Sequence, residues 1–391
     1  MKLWEKKSKL NRQIEEFTVG NDYLLDQRLV KYDCKASIAH AKMLHKIGIL
    51  KKEEARKLVS GLEEIIGLDS RGKFRIKKED EDCHTAIENY LTKKYGDAGK
   101  KIHTARSRND QVLAALRLYY KDELKDCKEL VNELNVSIKD KLKEYGAVKL
   151  PGYTHTRKAM PSLIKQWLDS FAKSMKDNLK ILDVSMKLID QCPLGTGAGY
   201  GLPIKVDREY TAKELGFKKV QKNPIYVQNS RGKFESTILH GLSQIMLDLN
   251  KISTDLILFS MPEFGYFELP KEICTGSSIM PHKQNPDVLE LVRGSYHEIN
   301  SYESRVKDII GNLISGYNRD LQLTKEPVMK GFDKTKQCLS IMNLVIQKIK
   351  VNKGKCKDGL TEEVFATEKA YELVKKGMPF REAYKKVSEK Y

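Results

Sequence analysis

The segment from Gly276 to Pro286, which reads GSSIMPHKQNP, carries the most distinctive group of reactive side chains in the sequence. It offers hydroxyls, an ammonium and an amide beside a glycine, and its prolines prevent it from being helical throughout. Such donors can stabilise negative charge on a bound group. The alternative interpretation is a polar connector that caps a helix.

Three further clusters of polar residues precede helical patterns or interrupt them. Residues 103–111 (HTARSRNDQ) place Arg and Asn at the start of a helical pattern, where exposed N–H groups also favour a carboxylate. Residues 152–155 (GYTH) precede a second pattern. In residues 317–327 (YNRDLQLTKEP), Gln322 and Lys325 share a face if the segment is helical. Each cluster alone is equally compatible with a capped or solvated helix.

A fifth stretch, residues 195–199 (GTGAG), is rich in glycine and resembles a phosphate-binding loop. It lacks the Gly-Lys-Ser/Thr sequence that should follow in such a loop. It therefore favours nucleotide binding only weakly.

Three long helical patterns position these clusters. Apolar residues recur at steps of three and four from Leu113 to Tyr145, from Ile164 to Ile189 and from Ile238 to Phe259. The last series has a mean period of about 3.5, which is typical of nearly parallel packed helices. Helices of this length extend over more than about 30 Å and predict a long bundle whose seams continue across subunits. No alternating apolar run predicts a sheet.

The charge of the chain is the main signal in its composition. The 391 residues include 71 Lys and Arg and 53 Asp and Glu, so the formal net charge is +18. A basic protein of this kind binds nucleic acid, an anionic membrane or a small anion, or simply has a soluble lysine-rich surface. Because the basic residues are spread along the whole chain, the pattern disfavours a nucleic-acid partner.

The cysteines and the N-terminus predict a cytoplasmic protein. The 7 cysteines form no C-x-x-C pair, which disfavours a disulfide framework and a zinc site. The segment from Met1 to Lys7 lacks the apolar region of a signal peptide. No run of about 18 apolar residues predicts a membrane span, so we expect no membrane partner.

Taken together, the clusters resemble the argininosuccinate lyases of the aspartase/fumarase superfamily. The superfamily signature is the segment 276–286, and the closer resemblance is carried by residues 104–111, 263–269 and 317–327, with further matches at 80–85 and 37–42. The resemblance covers nearly the whole chain in order. It implies an all-α, three-domain aspartase/fumarase-like lyase that assembles into a homotetramer around a long central helical bundle. The domains would be an N-terminal helical domain (1–105), the central bundle (106–349) and a short C-terminal helical domain (350–391).

The resemblance also implies a reaction, the reversible β-elimination of argininosuccinate to arginine and fumarate in arginine biosynthesis, without a metal or organic cofactor. Ser277 would be the base, and Lys283 and Asn285 would stabilise the aci-carboxylate formed by proton removal. His155, paired with Glu290, would act on the acid side of the reaction. The residues that would bind the small anionic substrate are Arg108, Asn109, Thr154, Tyr317, Gln322, Lys325, His84 and Arg231.

Several positions depart from the family pattern. His282 replaces the usual Gln and matches the adenylosuccinate lyases, which remain an alternative. Asp22 stands where a substrate-binding Ser is usual, Arg157 also departs from the pattern, and of the usual Ser-Asp-Arg-Asp motif only Arg231 is clearly retained. The chain also ends earlier than expected. Further alternatives are a catalytically silent, crystallin-like member and a nucleic-acid binder.

Overall fold

The computed structural model describes residues 11–391, so the prediction drawn from Met1 to Lys7 lies outside the described residues. The α-helices are, in chain order, α1 (Arg12–Val19), α2 (Asp22–Asp26), α3 (Val30–Lys46), α4 (Lys52–Ser70), α5 (Cys83–Tyr95), α6 (Asp97–Lys100), α7 (Arg108–Tyr145), α8 (Ile164–Ile189), α9 (Arg208–Glu214), α10 (Pro224–Asn229), α11 (Lys233–Phe259), α12 (Asp287–Ile310), α13 (Lys325–Lys348), α14 (Lys353–Asp358), α15 (Ala366–Lys375) and α16 (Phe380–Ser388). The short β-strands pair two by two: β1 (Lys149–Thr154) with β2 (Arg157–Leu163), β3 (Gln191–Cys192) with β4 (Lys219–Val220), and β5 (Phe267–Glu268) with β6 (Lys350–Val351).

The three predicted long helices are confirmed as α7, α8 and α11. The regular seam of α11 is buried along its length, at Ile238, Leu242, Ile245, Leu249, Ile252 and Leu256. Burial of such a stripe supplies most of a helix's stability, because intrinsic helix propensity is weak. The all-α fold class is therefore confirmed, with α12 and α13 as two further long helices.

The described chain divides into two compact units, each built from three separate stretches. Unit 1 consists of the described residues up to Asp126, with Leu182–His240 and Ser301–Gly331. Unit 2 consists of Cys127–Ile181, Gly241–Asn300 and Phe332–Tyr391. The five long helices contribute residues to both units. The division into three consecutive domains stays a prediction.

In unit 1, the glycine-rich stretch 195–199 is held by a carboxylate of the chain itself. Asp110 Oδ2 accepts the backbone N–H groups of Gly195, Thr196 and Gly197 at 3.0, 3.1 and 2.9 Å, and Oδ1 accepts that of Ser107 at 3.0 Å. Gly195 and Gly197 have φ values of +84° and +57°, which a residue with a Cβ rarely adopts. The N–H groups that a phosphate would need are thus already occupied, which argues against nucleotide binding here.

In unit 2, strands β1 and β2 form an antiparallel hairpin that the sequence did not predict. Its two-residue turn is His155–Thr156, and both residues have positive φ, 51° and 59°. This is the backbone that a type I′ turn requires, a turn usually built from Asn and Gly. Tyr153 anchors the hairpin through a 2.9 Å hydroxyl contact with Tyr266. His155 therefore lies at the tip of a hairpin.

The long helices within unit 2 are joined by buried or half-buried polar contacts as well as by apolar seams. Trp167 Nε1 of α8 donates to Asp255 of α11 at 2.8 Å. Asn178 of α8 donates to Asp248 of α11 at 2.7 Å. Ser137 of α7 donates to Asn343 of α13 at 2.6 Å. Because such pairs lose their hydrogen bonds when a helix rotates or slides, they fix the register of the bundle.

The seven cysteines are free thiols, and all except the half-buried Cys274 are buried. Burial raises the pKa of Cys34 and Cys83 well above the ordinary thiol value, which keeps both thiols protonated. Within residues 11–391, none of the helices combines the length and the apolarity that crossing a membrane requires.

Candidate active site

A cavity of about 230 Å³ in unit 1 collects most of the predicted substrate-binding residues. Those that line it are His84, Arg108, Asn109, Arg231, Tyr317, Gln322 and Lys325. Thr154 is absent from the lining and belongs to unit 2. Segments far apart in the sequence therefore meet at one cavity, as the resemblance implies. Their roles toward a substrate stay predictions.

Lys325, the first residue of α13, is a buried cation of the cavity. Its ammonium lies 2.5 Å from Asp22 Oδ1 and 2.6 Å from Asp26 Oδ1. Burial opposes its charge, but the two carboxylates outweigh that effect and raise the pKa of Lys325. Burial also raises the pKa of Asp22 to about 6, although Lys325 opposes that shift. Asp22 therefore pairs with Lys325, one of the predicted substrate-binding residues, and one ammonium contacts two carboxylates.

Arg108, the first residue of α7, forms a second cluster in which one cation contacts two carboxylates. Its Nη1 lies 3.1 Å from Glu81 Oε2 and 3.1 Å from Asp82 Oδ2. Asp82 is also the N-cap of α5, since its Oδ1 accepts the Thr85 N–H at 2.8 Å. The guanidinium is thus held in place by a helix cap, and its remaining donors are available to a ligand.

Arg231 presents unpartnered donors to the cavity. It is buried, its guanidinium carbon lies 5.4 Å from the centre of the Tyr317 ring, and its Nη2 donates to the Leu321 carbonyl at 3.4 Å. Its Nε and Nη1 have no hydrogen-bond partner among the described residues. Buried donors without partners cost free energy, so a carboxylate that reached them would bind favourably.

Gln322 lies in the 3₁₀-helix Arg319–Thr324, which leads directly into α13. Its Nε2 donates to the Thr18 carbonyl at 3.3 Å, and Arg319 donates to the same carbonyl at 2.9 Å. Pro327 is the third residue of α13, within the first turn that tolerates proline. The helical spacing assumed for Gln322 and Lys325 is therefore present, in mixed 3₁₀ and α form.

One group of side chains at the cavity has the types that bind metals. Asp26, Cys83 and His84 place one potential ligand atom each within 4.8 Å of one another. Asp26 is already paired with the Lys325 ammonium, and the Cys83 thiol has a pKa raised well above its ordinary value. A nearby ammonium and a protonated thiol disfavour a divalent cation, so this set is a poor metal site.

The predicted catalytic loop lies in unit 2 and is largely exposed. Thr275 and Asn285 close its base through two backbone hydrogen bonds of 3.1 and 2.8 Å. Ser277 Oγ accepts the backbone N–H groups of Ile279 and Met280 at 3.3 and 3.1 Å. Two N–H donors on one oxygen stabilise negative charge there. This arrangement suits a serine that must act as a base.

The other predicted catalytic residues also belong to unit 2, and all of them are exposed except the half-buried Asn285. Lys283 lies in the loop, Glu290 in the first turn of α12, and His155 at the hairpin tip. Among the described residues of this single chain, no ion pair joins His155 to Glu290. The predicted pairing of these two residues therefore remains a prediction about the assembled enzyme.

The sequence did not single out Asp26, Glu81, Asp82 and Arg319 as binding residues, although all four line the cavity. Asp82 carried a local signal, because an Asp three residues before Thr85 is typical of a helix N-cap. Glu81 lies in the matched segment 80–85, but neither Glu81 nor Asp26 carried a local signal of binding, since their partners are distant in sequence.

Comparisons with known proteins find relatives in sequence and in fold. Residues 5–300 match the family described as Lyase. The argininosuccinate lyase of Thermotoga neapolitana is 57% identical over 390 residues, covering 100% of this chain and 98% of that protein. The argininosuccinate lyase of Phocaeicola vulgatus is 42% identical over 386 residues, covering 99% of this chain and 86% of that protein. A recombinant class II fumarase from Schistosoma mansoni shares the fold, with a TM-score of 0.81 and 15% identity over 96% of this chain and 91% of that one.

Proposed function

We propose a reaction geometry from the premise that this chain belongs to the argininosuccinate lyase family. The observation that carries the activity is the 57% identity to a named family member along the whole chain. The chain is a carbon–nitrogen lyase that cleaves argininosuccinate reversibly to arginine and fumarate. Its expected setting is arginine biosynthesis in the cytoplasm.

The charges of the unit 1 cavity suit this substrate. Argininosuccinate carries carboxylates together with an amino group and a guanidinium. The lining of the cavity contains four carboxylates and four cations. The carboxylates are those of Asp22, Asp26, Glu81 and Asp82, and the cations are Arg108, Arg231, Arg319 and Lys325. A ligand that carries both signs of charge can pair with both sets, whereas a simple polycarboxylate would face repulsion from the acidic residues.

The loop of unit 2 would perform the proton abstraction. The deprotonated Ser277 Oγ takes the proton from the succinyl carbon, and the electron pair of that C–H bond moves into the adjacent carboxylate to give a dianionic aci-carboxylate. Lys283 and Asn285 stabilise this dianion. The electron pair then returns to form the double bond of fumarate as the C–N bond breaks. The leaving guanidino nitrogen gains a proton, for which His155 is the donor. The two N–H donors on Ser277 Oγ support this assignment.

We further propose that the site is completed in a homotetramer. All five predicted catalytic residues belong to unit 2, whereas the cavity is lined by unit 1. The long helices also expose apolar side chains that a second copy would cover, namely Val136, Val184, Leu258, Leu291 and Leu344. No cofactor, metal, nucleic acid or membrane is part of the proposal.

The test is a substrate comparison with purified protein. Argininosuccinate and adenylosuccinate are supplied separately, and fumarate is followed by its ultraviolet absorbance. We expect fumarate from argininosuccinate only. If fumarate forms only from adenylosuccinate, the chain is an adenylosuccinate lyase, the alternative that His282 suggests. Absence of fumarate from both, for a folded protein, would instead support the silent, crystallin-like alternative. A Ser277→Ala preparation controls for contaminating lyase.

A further inference from the structure

A buried charged pair at the cavity joins His84 on α5 to Asp33 on α3. His84 Nδ1 lies 3.1 Å from Asp33 Oδ1, and the two side chains are 5% and 0% exposed. Gln111 Nε2 donates to both carboxylate oxygens of Asp33, at 2.9 and 3.1 Å. The carboxylate is therefore fixed from a third helix, α7, and cannot turn away from the imidazole.

The other ring nitrogen of His84, Nε2, indicates that His84 binds a ligand. Nε2 is buried and has no hydrogen-bond partner among the described residues, while His84 lines the cavity. Buried polar atoms are almost always paired, and an unpaired one destabilises the folded protein. Because Asp33 occupies Nδ1, only Nε2 is left to meet a ligand. A molecule in the cavity is the natural partner of this nitrogen.

The charge of His84 decides which partner fits. Asp33 accepts a hydrogen bond from Nδ1, so a neutral His84 would present a lone pair at Nε2 and repel a carboxylate. An imidazolium would present an N–H donor there. Burial opposes the imidazolium, but Asp33, with Asp82 and Asp26 adding to it, outweighs burial and raises the pKa of His84. In return, His84 and Arg106 keep the pKa of Asp33 below its ordinary value despite burial.

We propose that Asp33 is a positioning residue that holds His84 as an imidazolium, with its Nε2–H directed to a carboxylate of the substrate in the cavity. This inference rests on the proposed function. It assigns Asp33 a role through His84, without contact with the substrate. It also makes the affinity for the substrate depend on the second proton of His84, which the charge of the Asp33 carboxylate stabilises.

Other ionisable groups surround the pair and set the pH range of the test. The Cys83 thiol lies 3.6 Å from His84 Nδ1 and stays protonated. Burial beside Arg106 and Arg108 lowers the pKa of His103 to about 4, so that imidazole is neutral. Asp22 also lines the cavity. Its pKa is raised to about 6, so Asp22 changes its charge within the pH range of the test. The remaining charged neighbours are Asp26 on α2, Asp82 before α5, Arg106 and Arg108 at the start of α7, and Lys325 on α13.

The first measurement is a histidine titration in the absence of substrate. Protein carrying ¹⁵N-labelled histidine is followed by NMR from pH 5 to pH 9, and His84→Gln identifies the His84 signals. We expect the ¹⁵N shifts of an imidazolium at pH 7 in the wild type. Asp33→Asn, which keeps an oxygen acceptor for Nδ1 but removes the charge, should lower the pH of the His84 transition by at least about one unit.

The second measurement is the kinetic profile of the same variants. Asp33→Asn should raise the KM for argininosuccinate about 10-fold at pH 7, because a charge-assisted hydrogen bond is lost, and should change kcat much less. The rise in KM should shrink as the pH falls and His84 of the variant takes up a proton. Asp69→Asn is the matched control, since Asp69 also accepts an amide N–H, from Gln27 at 2.8 Å, but faces no histidine.

The outcomes separate this inference from the proposed function. A neutral His84 at pH 7 in the wild type would overturn the inference, whatever the activity. So would an Asp33→Asn protein of lowered melting temperature with an unchanged KM and pH profile, which is the behaviour of a merely structural residue. If Asp33→Asn does not fold, the wild-type titration and the KM of His84→Gln decide the question. If the wild-type protein has an imidazolium at His84 but no lyase activity, the proposed function is refuted, whereas the charge state inferred for the Asp33–His84 pair is supported.

Discussion

The unit 1 cavity and the unit 2 loop hold their polar side chains in opposite ways. Around the cavity, Lys325 and Arg108 each contact two carboxylates and are buried or half-buried. In the loop, Ser277 Oγ accepts two backbone N–H groups of the described chain, and Lys283 is exposed. The predicted binding residues of the cavity are thus held by charged side chains of their own chain, whereas the predicted base is held by neighbouring backbone. Substitutions in the two regions should therefore have different consequences.

The largest expected effect is on turnover, at Ser277. Ser277→Ala should lower kcat by about 10²- to 10⁴-fold, because it removes the proposed base. The melting temperature should stay unchanged, since the loop is exposed and Oγ bonds only to neighbouring backbone. Fumarate formation and a thermal melt on the same sample measure both quantities.

Ser278→Ala is the matched control for this prediction, because Ser278 is the adjacent, exposed serine of the same loop. It should retain most of the wild-type turnover. Comparable losses in the two variants would show that the loop responds as a whole and that Ser277 has no special role.

The next largest effect is on stability, at Lys325. Lys325→Met removes the ammonium and leaves Asp22 and Asp26 buried without a counter-ion, which should cost about 3 to 5 kcal/mol of unfolding free energy. The loss should be greatest above about pH 6, where Asp22 is ionised, and should shrink as the pH falls and Asp22 takes up a proton. Denaturant unfolding at several pH values measures it.

The control for Lys325 is Lys330→Met on the same helix. Lys330 is exposed and pairs with Glu326 at 2.9 Å, so its removal should cost no more than about 1 kcal/mol. Equal and pH-independent losses at the two lysines would contradict the buried charge cluster described for unit 1.

A smaller effect on stability is expected at Asp110, which lies next to the cavity-lining Asn109 in sequence and bonds the glycine-rich stretch 195–199. Asp110→Asn should reduce the unfolding free energy by about 1 to 3 kcal/mol, because an amide cannot accept all four backbone N–H groups that now bond to the carboxylate. KM should rise too, since Arg108 and Asn109 precede Asp110 on α7. Asp97→Asn, at an exposed position paired with Lys100, should change neither quantity. A stable Asp110→Asn protein would mean that the glycine-rich stretch holds its shape alone.

Periodicity predicted the bundle because long helices repeat one pattern many times. The seam from Ile238 to Phe259 left little ambiguity, and α11 contains all of it. The β1–β2 hairpin escaped prediction for a physical reason. Its turn residues, His155 and Thr156, adopt positive φ without being Asn or Gly, so tertiary contacts such as that of Tyr153 with Tyr266 impose the turn.

The sequence predicted a set of binding residues that lie mostly at one cavity, but it did not predict their charge pairing. Seven of the eight predicted binding residues line the cavity. Their partners lie far away along the chain, as Lys325 does from Asp26 and His84 from Asp33. Asp22 illustrates the difficulty. Beside an anionic substrate it reads as repulsive, yet in the structure it is the counter-ion of Lys325.

The positive net charge has little to do with the cavity. The lining balances its permanent cations with as many carboxylates, so the excess of 18 charges lies elsewhere. Lysines on exposed helix faces pair locally with acidic neighbours, as Lys173 does with Asp169 and Lys180 with Asp177. The basic composition therefore reflects the surface more than the substrate.

Calorimetric binding of argininosuccinate to Ser277→Ala tests the separation of binding from chemistry most directly. Because binding is assigned to unit 1 and chemistry to the unit 2 loop, the variant should bind argininosuccinate with an affinity close to the wild-type KM while forming no fumarate. A double variant that adds His84→Gln should bind about 10-fold more weakly. Loss of binding in Ser277→Ala alone, with the fold intact, would contradict the account.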